Sequence, residues 1–246
     1  MALRLPKAIR ACLFDLDGVL TRTAEVHAAA WKKTFDDFLQ RRARGEPFVA
    51  FDIVGDYDEY VDGRPRLDGT RTFLRSRGIQ LPEGHPDDPP GSETVQGLSN
   101  AKNQLLLARL HEQGVQVFPG SIRFVRAAKD AGLATAVVSS SANALDVLVA
   151  AGIENLFDRR IDGVVAAARK LAGKPAPDTF LAAADLVEVE PAQAAVFEDA
   201  LAGVEAGRAG RFGLVVGVDR VGQADALGAH GADVVVGDLE ELIEDG

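Results

Sequence analysis

From about residue 117 to its end, the chain alternates short β-branched runs with stretches of helical spacing, and little lies between them. The runs fall at 134–138 (ATAVV), 194–197 (AAVF), 214–218 (LVVGV) and 233–236 (DVVV). Helical spacing covers 122–131, 144–151, 179–186, 201–209 and 224–230. Strands that are almost wholly apolar must be buried on both faces, and parallel strands need a crossover helix between them. The pattern therefore predicts an α/β fold, a Rossmann-like parallel sheet covered by helices. One more strand, 9–14, opens the chain, yet the alternation does not resume until Val117. The roughly one hundred residues between exceed what a connection in such a fold needs.

That interval reads as a helical domain of its own. Residues 25–44 are a helix candidate with Trp31, Phe35, Phe38 and Leu39 on one face, and 70–76 and 101–113 offer further helical pieces. The proline- and glycine-rich loop PEGHPDDPPGS between them excludes regular structure. The expected organisation is an α/β core from 1–21 and 117–246, with a helical cap domain, 22–116, inserted after the first strand. Among 246 residues, 47% are hydrophobic and Lys+Arg 27 against Asp+Glu 37 gives a net charge of −10, which suits a globular acidic protein and excludes a general nucleic-acid binder. The exception is RPRLDGTRTFLRSR, where Arg64, Arg66, Arg71, Arg75 and Arg77 accompany a single acid, Asp68. Most of these suit a solvated helix face, and one or two suit an anion clamp. No apolar run approaches the roughly 20 residues of a membrane span, so a cytoplasmic location is expected. The single cysteine, Cys12, lies in an apolar run and reads as a buried structural thiol.

In open parallel sheets, ligands bind beyond the carboxyl ends of the strands. The residues there share one theme. Asp15 and Asp17 follow the first strand (FDLDGVLT), Ser139 follows the second (VVSSSAN), and Glu198 with Asp199 follow the third (VFEDALAG), while Lys174 sits in the loop GKPAPD. Residues two apart in an extended chain point to one side, so Asp15 and Asp17 can face one substrate while Leu16 turns into the core. Two carboxylates so placed can divide the work, Asp15 attacking phosphorus and Asp17 moving protons. Mg²⁺ on Asp15, Glu198 and Asp199 would offset the repulsion between carboxylate and phosphate, with Lys174 and Ser139 on the equatorial oxygens. Taken singly, each residue has a structural explanation: Glu198 and Asp199 as dipole partners of the next helix, Asp178 as a helix cap. The set gains its weight from occurring in order at successive strand ends. Other motifs fail. The lysine of AGKPAP lacks the flanking residues of a nucleotide P-loop, DLDG places its glycine too early for an EF-hand, and His27, His85, His111 and His230 lack metal-ligand spacing.

FDLDGVLTRTAEVHAAAW, VFPG, VVSSSAN, GKPAPD and VFEDALAGVEAGRAG together resemble the haloacid dehalogenase-like phosphotransferases, and within them the β-phosphoglucomutase family. The resemblance covers nearly the whole chain. It implies that Asp15 forms an aspartyl phosphate, and that Asp17 is the acid/base and lends its backbone carbonyl to Mg²⁺. Ser139 and Lys174 would bind the transferring group, and Glu198 and Asp199 complete the metal site. Thr23 would lie at the cap hinge, His27 would orient Asp17 and the sugar, and Trp31 belongs to the same motif. Ser141 and Asn143 would hold the distal phosphate, with Arg71 as the cap arginine, Arg64 and Arg66 behind it, and Lys102 as a second cap contact. Ala142 stands where the family can carry a lysine, and 84–100 is longer than a minimal cap requires.

The implied activity interconverts β-glucose 1-phosphate and glucose 6-phosphate through glucose 1,6-bisphosphate, in a monomer with no nucleic-acid or membrane partner. A sugar-phosphate phosphatase with the same nucleophile is the first alternative, and a catalytically silent binding protein is the second. Two retained aspartates weigh against the latter.

Overall fold

The protein is described by a computed structural model covering residues 2–244. In chain order the elements begin with β1 (Ala11–Phe14), α1 (Thr23–Ala43), a π-helical turn (Tyr57–Val61), α2 (Arg66–Ser76) and α3 (Val95–Gln113). There follow α4 (Pro119–Asp130), β2 (Ala134–Val138), α5 (Ala144–Ala150), β3 (Arg159–Ile161), α6 (Gly163–Arg169) and α7 (Asp178–Leu186). The chain ends with β4 (Ala194–Glu198), α8 (Leu201–Ala209), β5 (Leu214–Val218), α9 (Ala224–His230) and β6 (Val234–Val236). Two compact units result: one from the amino terminus to Arg22 together with the chain from Val115 onward, the other Thr23–Gly114.

In the first unit all six strands are parallel, in the order β3-β2-β1-β4-β5-β6. The order reverses at β1, which has β2 on one side and β4 on the other, and that reversal opens the crevice where such sheets take ligands. Register carries the positioning further. Phe14 is level with Val137 and Phe197, so the next residues along, Asp15, Val138 and Glu198, come out at one height on three adjacent strands. Burial holds the register: Phe14 stacks on Phe197 with centroids 4.7 Å apart, and Phe124 packs edge-on to Phe14 at 6.1 Å. Both rings of the stack are fully buried, each contributing about 1.5–3 kcal/mol relative to exposure. Slipping β1 by one residue would turn Leu13 and Phe14 to opposite faces.

The expected elements of this unit are present with small shifts at their ends. The first strand starts at Ala11 and not residue 9, because the Ile9 N–H is already committed to the Pro6 carbonyl. The sequence reading passed over β3 and α6. β3 is Arg-Arg-Ile at the sheet edge, with two charged residues in three and no apolar run to detect. Asp178 is not the cap of α7: it is the first helical residue, Pro177 occupies the cap position, and the Asp178 carboxylate accepts from Ala172 N at 3.3 Å.

The second unit is helical. Trp31, Phe35, Phe38 and Leu39 of α1 are buried, and Phe35 lies 4.0 Å from Phe73 of α2 and 5.0 Å from Trp31 between ring centroids. α3 starts six residues earlier than its apolar spacing suggests, at Val95, because Thr94 Oγ1 accepts from Gly97 N at 2.9 Å and caps it. A buried hydroxyl pair, Thr70 and Ser99 at 2.8 Å, ties α2 to α3.

Candidate active site

The loop after β1 is shaped by its own backbone. Leu16 O accepts from Leu20 N and Thr21 N, and Gly18 N returns to Thr21 O at 2.8 Å, so the chain reverses within five residues of Asp15. Gly18 has φ +87°, and a Cβ there would lie 1.6 Å from Asp199 Oδ2. Position 18 is thus glycine for two reasons, a left-handed backbone and a carboxylate occupying the place of a side chain.

Asp15, Lys174 and Glu198 form a buried charged group. Lys174 Nζ donates to Asp15 Oδ1 at 2.5 Å, to Val138 O at 3.1 Å and to Glu198 Oε1, which uses all three of its N–H bonds. The Lys174 side chain is 1% exposed, Asp15 9% and Glu198 0%. Glu198 Oε2 accepts from Ala200 N at 3.1 Å, so each of its oxygens is held. Burial drives the Asp15 carboxyl well above the usual range; Lys174 opposes this, and Glu198 and Asp17 add to it. Burial would lower the Lys174 ammonium, but the facing Asp15 and Glu198 carboxylates outweigh it and hold the group above its ordinary value. The lysine is a fixed cation.

The cluster fits a hard divalent cation. Asp15, Glu198 and Asp199 each present a carboxylate oxygen, all within 4.8 Å of one another, and oxygen donors are what such a cation prefers. The Asp17 carboxylate is outside that set, while its charge still bears on Asp15.

Ser139 leaves β2 nearly buried, and its N–H donates to Ile161 O at 2.9 Å. Its Oγ accepts from Ser141 N at 3.1 Å, and Ser141 Oγ accepts from Asn143 N at 3.2 Å, so two successive hydroxyl-closed turns shape this loop. The start of α6 supports it: Gly163 N donates to Ser141 O at 3.0 Å, and a Cβ on Gly163 would come within 2.8 Å of Ala142 N and Ser140 O. All the core residues expected from sequence (Asp15, Asp17, Ser139, Ser141, Asn143, Lys174, Glu198 and Asp199) thus lie at the carboxyl ends of β1, β2 and β4 or in adjoining loops.

In the helical unit, Thr23 is the first residue of α1 and is buried. Lys102 is 3% exposed; its Nζ lies 3.0 Å from His27 Nδ1 and 5.1 Å from the centroid of Trp31. An ammonium can only donate, so His27 accepts at Nδ1 and in its neutral form carries its hydrogen on Nε2. Arg71 is occupied by acids: it donates to Asp68 Oδ1 at 2.6 Å and to both carboxylate oxygens of Glu83. Arg64 and Arg66 differ, each having a buried Nε with no hydrogen-bond partner among the described residues, and burial lowers the Arg66 pKa from its ordinary value. Sequence reasoning ranked Arg71 first because it could not see Glu83 across twelve residues.

A family model described as haloacid dehalogenase-like hydrolase matches residues 9–211. Beta-phosphoglucomutases of Mycobacterium bovis and Mycobacterium tuberculosis are each 56% identical over 246 residues, 98% of this chain and 94% of theirs. That of Bacillus subtilis is 31% identical over 235 residues, 95% of this chain and 92% of its own. A solved beta-phosphoglucomutase of Clostridium difficile matches the fold with a TM-score of 0.74 at 26% identity, covering 96% of this chain and 93% of that one. Because these matches run across both units and the carboxylates stand at the strand-order reversal, the chain belongs to the haloacid dehalogenase-like hydrolase family and, within it, to the phosphomutases of the β-phosphoglucomutase group.

Proposed function

We propose that the chain interconverts β-glucose 1-phosphate and glucose 6-phosphate through glucose 1,6-bisphosphate, with Asp15 as the phosphorylated group. The observation that carries this is the buried pairing of Asp15 with Lys174 at the carboxyl end of β1, beside Glu198 and Asp199. Asp15 attacks phosphorus, the bond from phosphorus to the sugar oxygen breaks, and that oxygen takes a proton from Asp17. In the return half-reaction Asp17 accepts the proton of the other hydroxyl as its oxygen attacks the phosphorylated Asp15. Lys174 and Ser139 donate to the equatorial oxygens, where charge spreads in the transition state. Asp15, Glu198, Asp199 and the Asp17 carbonyl would hold Mg²⁺, which when bound would supply the positive charge that lets a carboxylate approach a phosphate dianion.

In the α/β unit Ser141 and Asn143 bind the phosphate not being transferred; in the helical unit Lys102, Arg66 and Arg64 are the cations suited to a phosphate. The two acids on Arg71 favour Arg66 and Arg64 over it for this role. His27 and Trp31, gathered around Lys102, serve the sugar. The mycobacterial relatives support a mutase over a phosphatase of the same nucleophile. No helix among the described residues is long and apolar enough to cross a membrane. A phosphorylated sugar does not cross one either, which favours action in the cytoplasm.

Phosphorus NMR with Mg²⁺, β-glucose 1-phosphate and a trace of glucose 1,6-bisphosphate tests the proposal. Conversion to glucose 6-phosphate with little free phosphate, and none from the α anomer, is expected. Accumulating inorganic phosphate would make the chain a phosphatase.

A further inference from the structure

The loop between β5 and α9 reaches both halves of the site and contributes no reacting atom. Asp219 Oδ1 accepts from Val221 N at 3.2 Å, Gly222 N at 2.7 Å and Gln223 N at 2.9 Å, which closes 219–223 into a tight turn. Two side chains project from it toward the catalytic loops. Gln223 Nε2 donates to the backbone carbonyl of Asp199 at 3.0 Å. Arg220 Nε donates to Gly18 O at 2.9 Å, and Nη2 to Val19 O at 3.4 Å and Ser121 Oγ at 3.2 Å. Its Nη1 donates to Gly237 O at 2.7 Å and Asp238 Oδ2 at 3.1 Å.

A guanidinium has five N–H donors in a fixed fork, and here five acceptors on three segments receive them. The group is 14% exposed and sits 3.6 Å from the centroid of Phe118, whose N–H donates to Leu20 O at 2.9 Å. Even the space is prepared, since a Cβ on Gly120 would lie 1.9 Å from Asp238 Oδ1, the partner carboxylate. Gly18 and Val19 follow Asp17 directly, so whatever fixes their carbonyls fixes the direction in which Asp17 is presented.

We propose that Arg220 is a positioning residue for phosphoryl transfer: by clamping the Gly18 and Val19 carbonyls it holds Asp17 where a proton can pass to the substrate oxygen. This rests on the reading of Asp17 as acid/base. Phosphorylation of Asp15 by glucose 1,6-bisphosphate breaks a phosphorus–oxygen bond whose sugar oxygen leaves with the electron pair and needs a proton. The same step with 4-nitrophenyl phosphate expels a stable phenolate, which needs none. Misplacing Asp17 therefore slows transfer from the bisphosphate selectively.

The test measures first-turnover phosphorylation of the Mg²⁺-loaded full-length protein by each donor, in wild type, Arg220→Ala, Arg220→Lys and Asp17→Asn. The ratio of the two rates does not depend on how much of the sample is folded. The expected result for Arg220→Ala is a loss of about 10- to 100-fold with the bisphosphate, the cost of an ångström-scale misplacement, and nitrophenolate release near wild type. Arg220→Lys should fall between, since a point charge cannot engage the whole fork, and it carries the test if the alanine variant fails to fold. Equal losses with both donors, or no loss with either, would overturn the proposal while selective loss in Asp17→Asn left the acid/base reading standing. If Asp17→Asn itself showed no selective loss, that reading would fall and the proposal with it.

Discussion

Gly203→Ala sets helix propensity against site geometry, and the two give opposite signs. Gly203 lies in α8, where alanine is intrinsically favoured over glycine by about 0.5–1 kcal/mol, so propensity alone makes the variant more stable. In the structure a Cβ at 203 would sit 1.8 Å from Glu198 Oε1. A carbon–oxygen contact needs about 3.4 Å, so the carboxylate must retreat by about 1.6 Å. It has nowhere easy to go: Glu198 is fully buried, with Oε1 on Lys174 and Oε2 on Ala200 N. Breaking a buried ion pair costs about 3–5 kcal/mol, which leaves a net destabilisation of about 2–4 kcal/mol after the propensity gain. At about 2–4 °C per kcal/mol for a chain of this size, the melting temperature should fall by about 5–15 °C. Displacing Glu198 also shifts Lys174 and the metal-binding oxygens, for which about a 100-fold loss of kcat/KM is expected. Calorimetry and a coupled assay of glucose 6-phosphate formation measure both. A melting temperature at or above wild type with full activity would refute the reasoning.

Arg66→Ala should raise KM for β-glucose 1-phosphate about 10- to 100-fold, the worth of a charge-assisted hydrogen bond, whereas Arg71→Ala should leave it nearly unchanged; the reverse order in steady-state kinetics would restore Arg71 to the site. Three buried carboxylates around one ammonium leave excess negative charge, so Mg²⁺ near a hundredfold its Kd should stabilise the protein by about 2.7 kcal/mol and raise its melting temperature by about 5–10 °C in calorimetry. An equal rise from NaCl at matched ionic strength would contradict specific binding. Cys12 is fully buried and burial pushes its thiol far above the ordinary range, so a disulfide reagent should label it only at the rate of unfolding; fast labelling of the native protein would contradict its placement.

What could be read from sequence was what local chemistry encodes. The apolar runs of β1, β2, β4 and β5 mark themselves, and once they are aligned in a parallel sheet the acids and the serine at their carboxyl ends fall together. β3 was illegible because an edge strand of three residues, two of them arginine, has no periodicity to detect. Arg71 was ranked above Arg66 because the carboxylate that occupies it, Glu83, is brought near only by folding. Arg220 lies two residues past β5, so inspecting that strand's carboxyl end would have reached it. Its task depends on acceptors from Gly18, Val19, Ser121, Gly237 and Asp238, which no local pattern connects. Gly203 is similar: a glycine in a helix looks like a weakness until Glu198 is seen to fill the space a side chain would take.

Direct capture of the phosphorylated enzyme tests the central claim, that Asp15 carries the phosphoryl group. Stoichiometric full-length protein with Mg²⁺ would be mixed with radiolabelled glucose 1,6-bisphosphate, quenched in acid within a turnover, digested and mapped. The account predicts label on Asp15, formed as fast as the sugar turns over and lost in Asp15→Asn. Label on Ser139 or Asp17, or full turnover with no labelled protein, would contradict it.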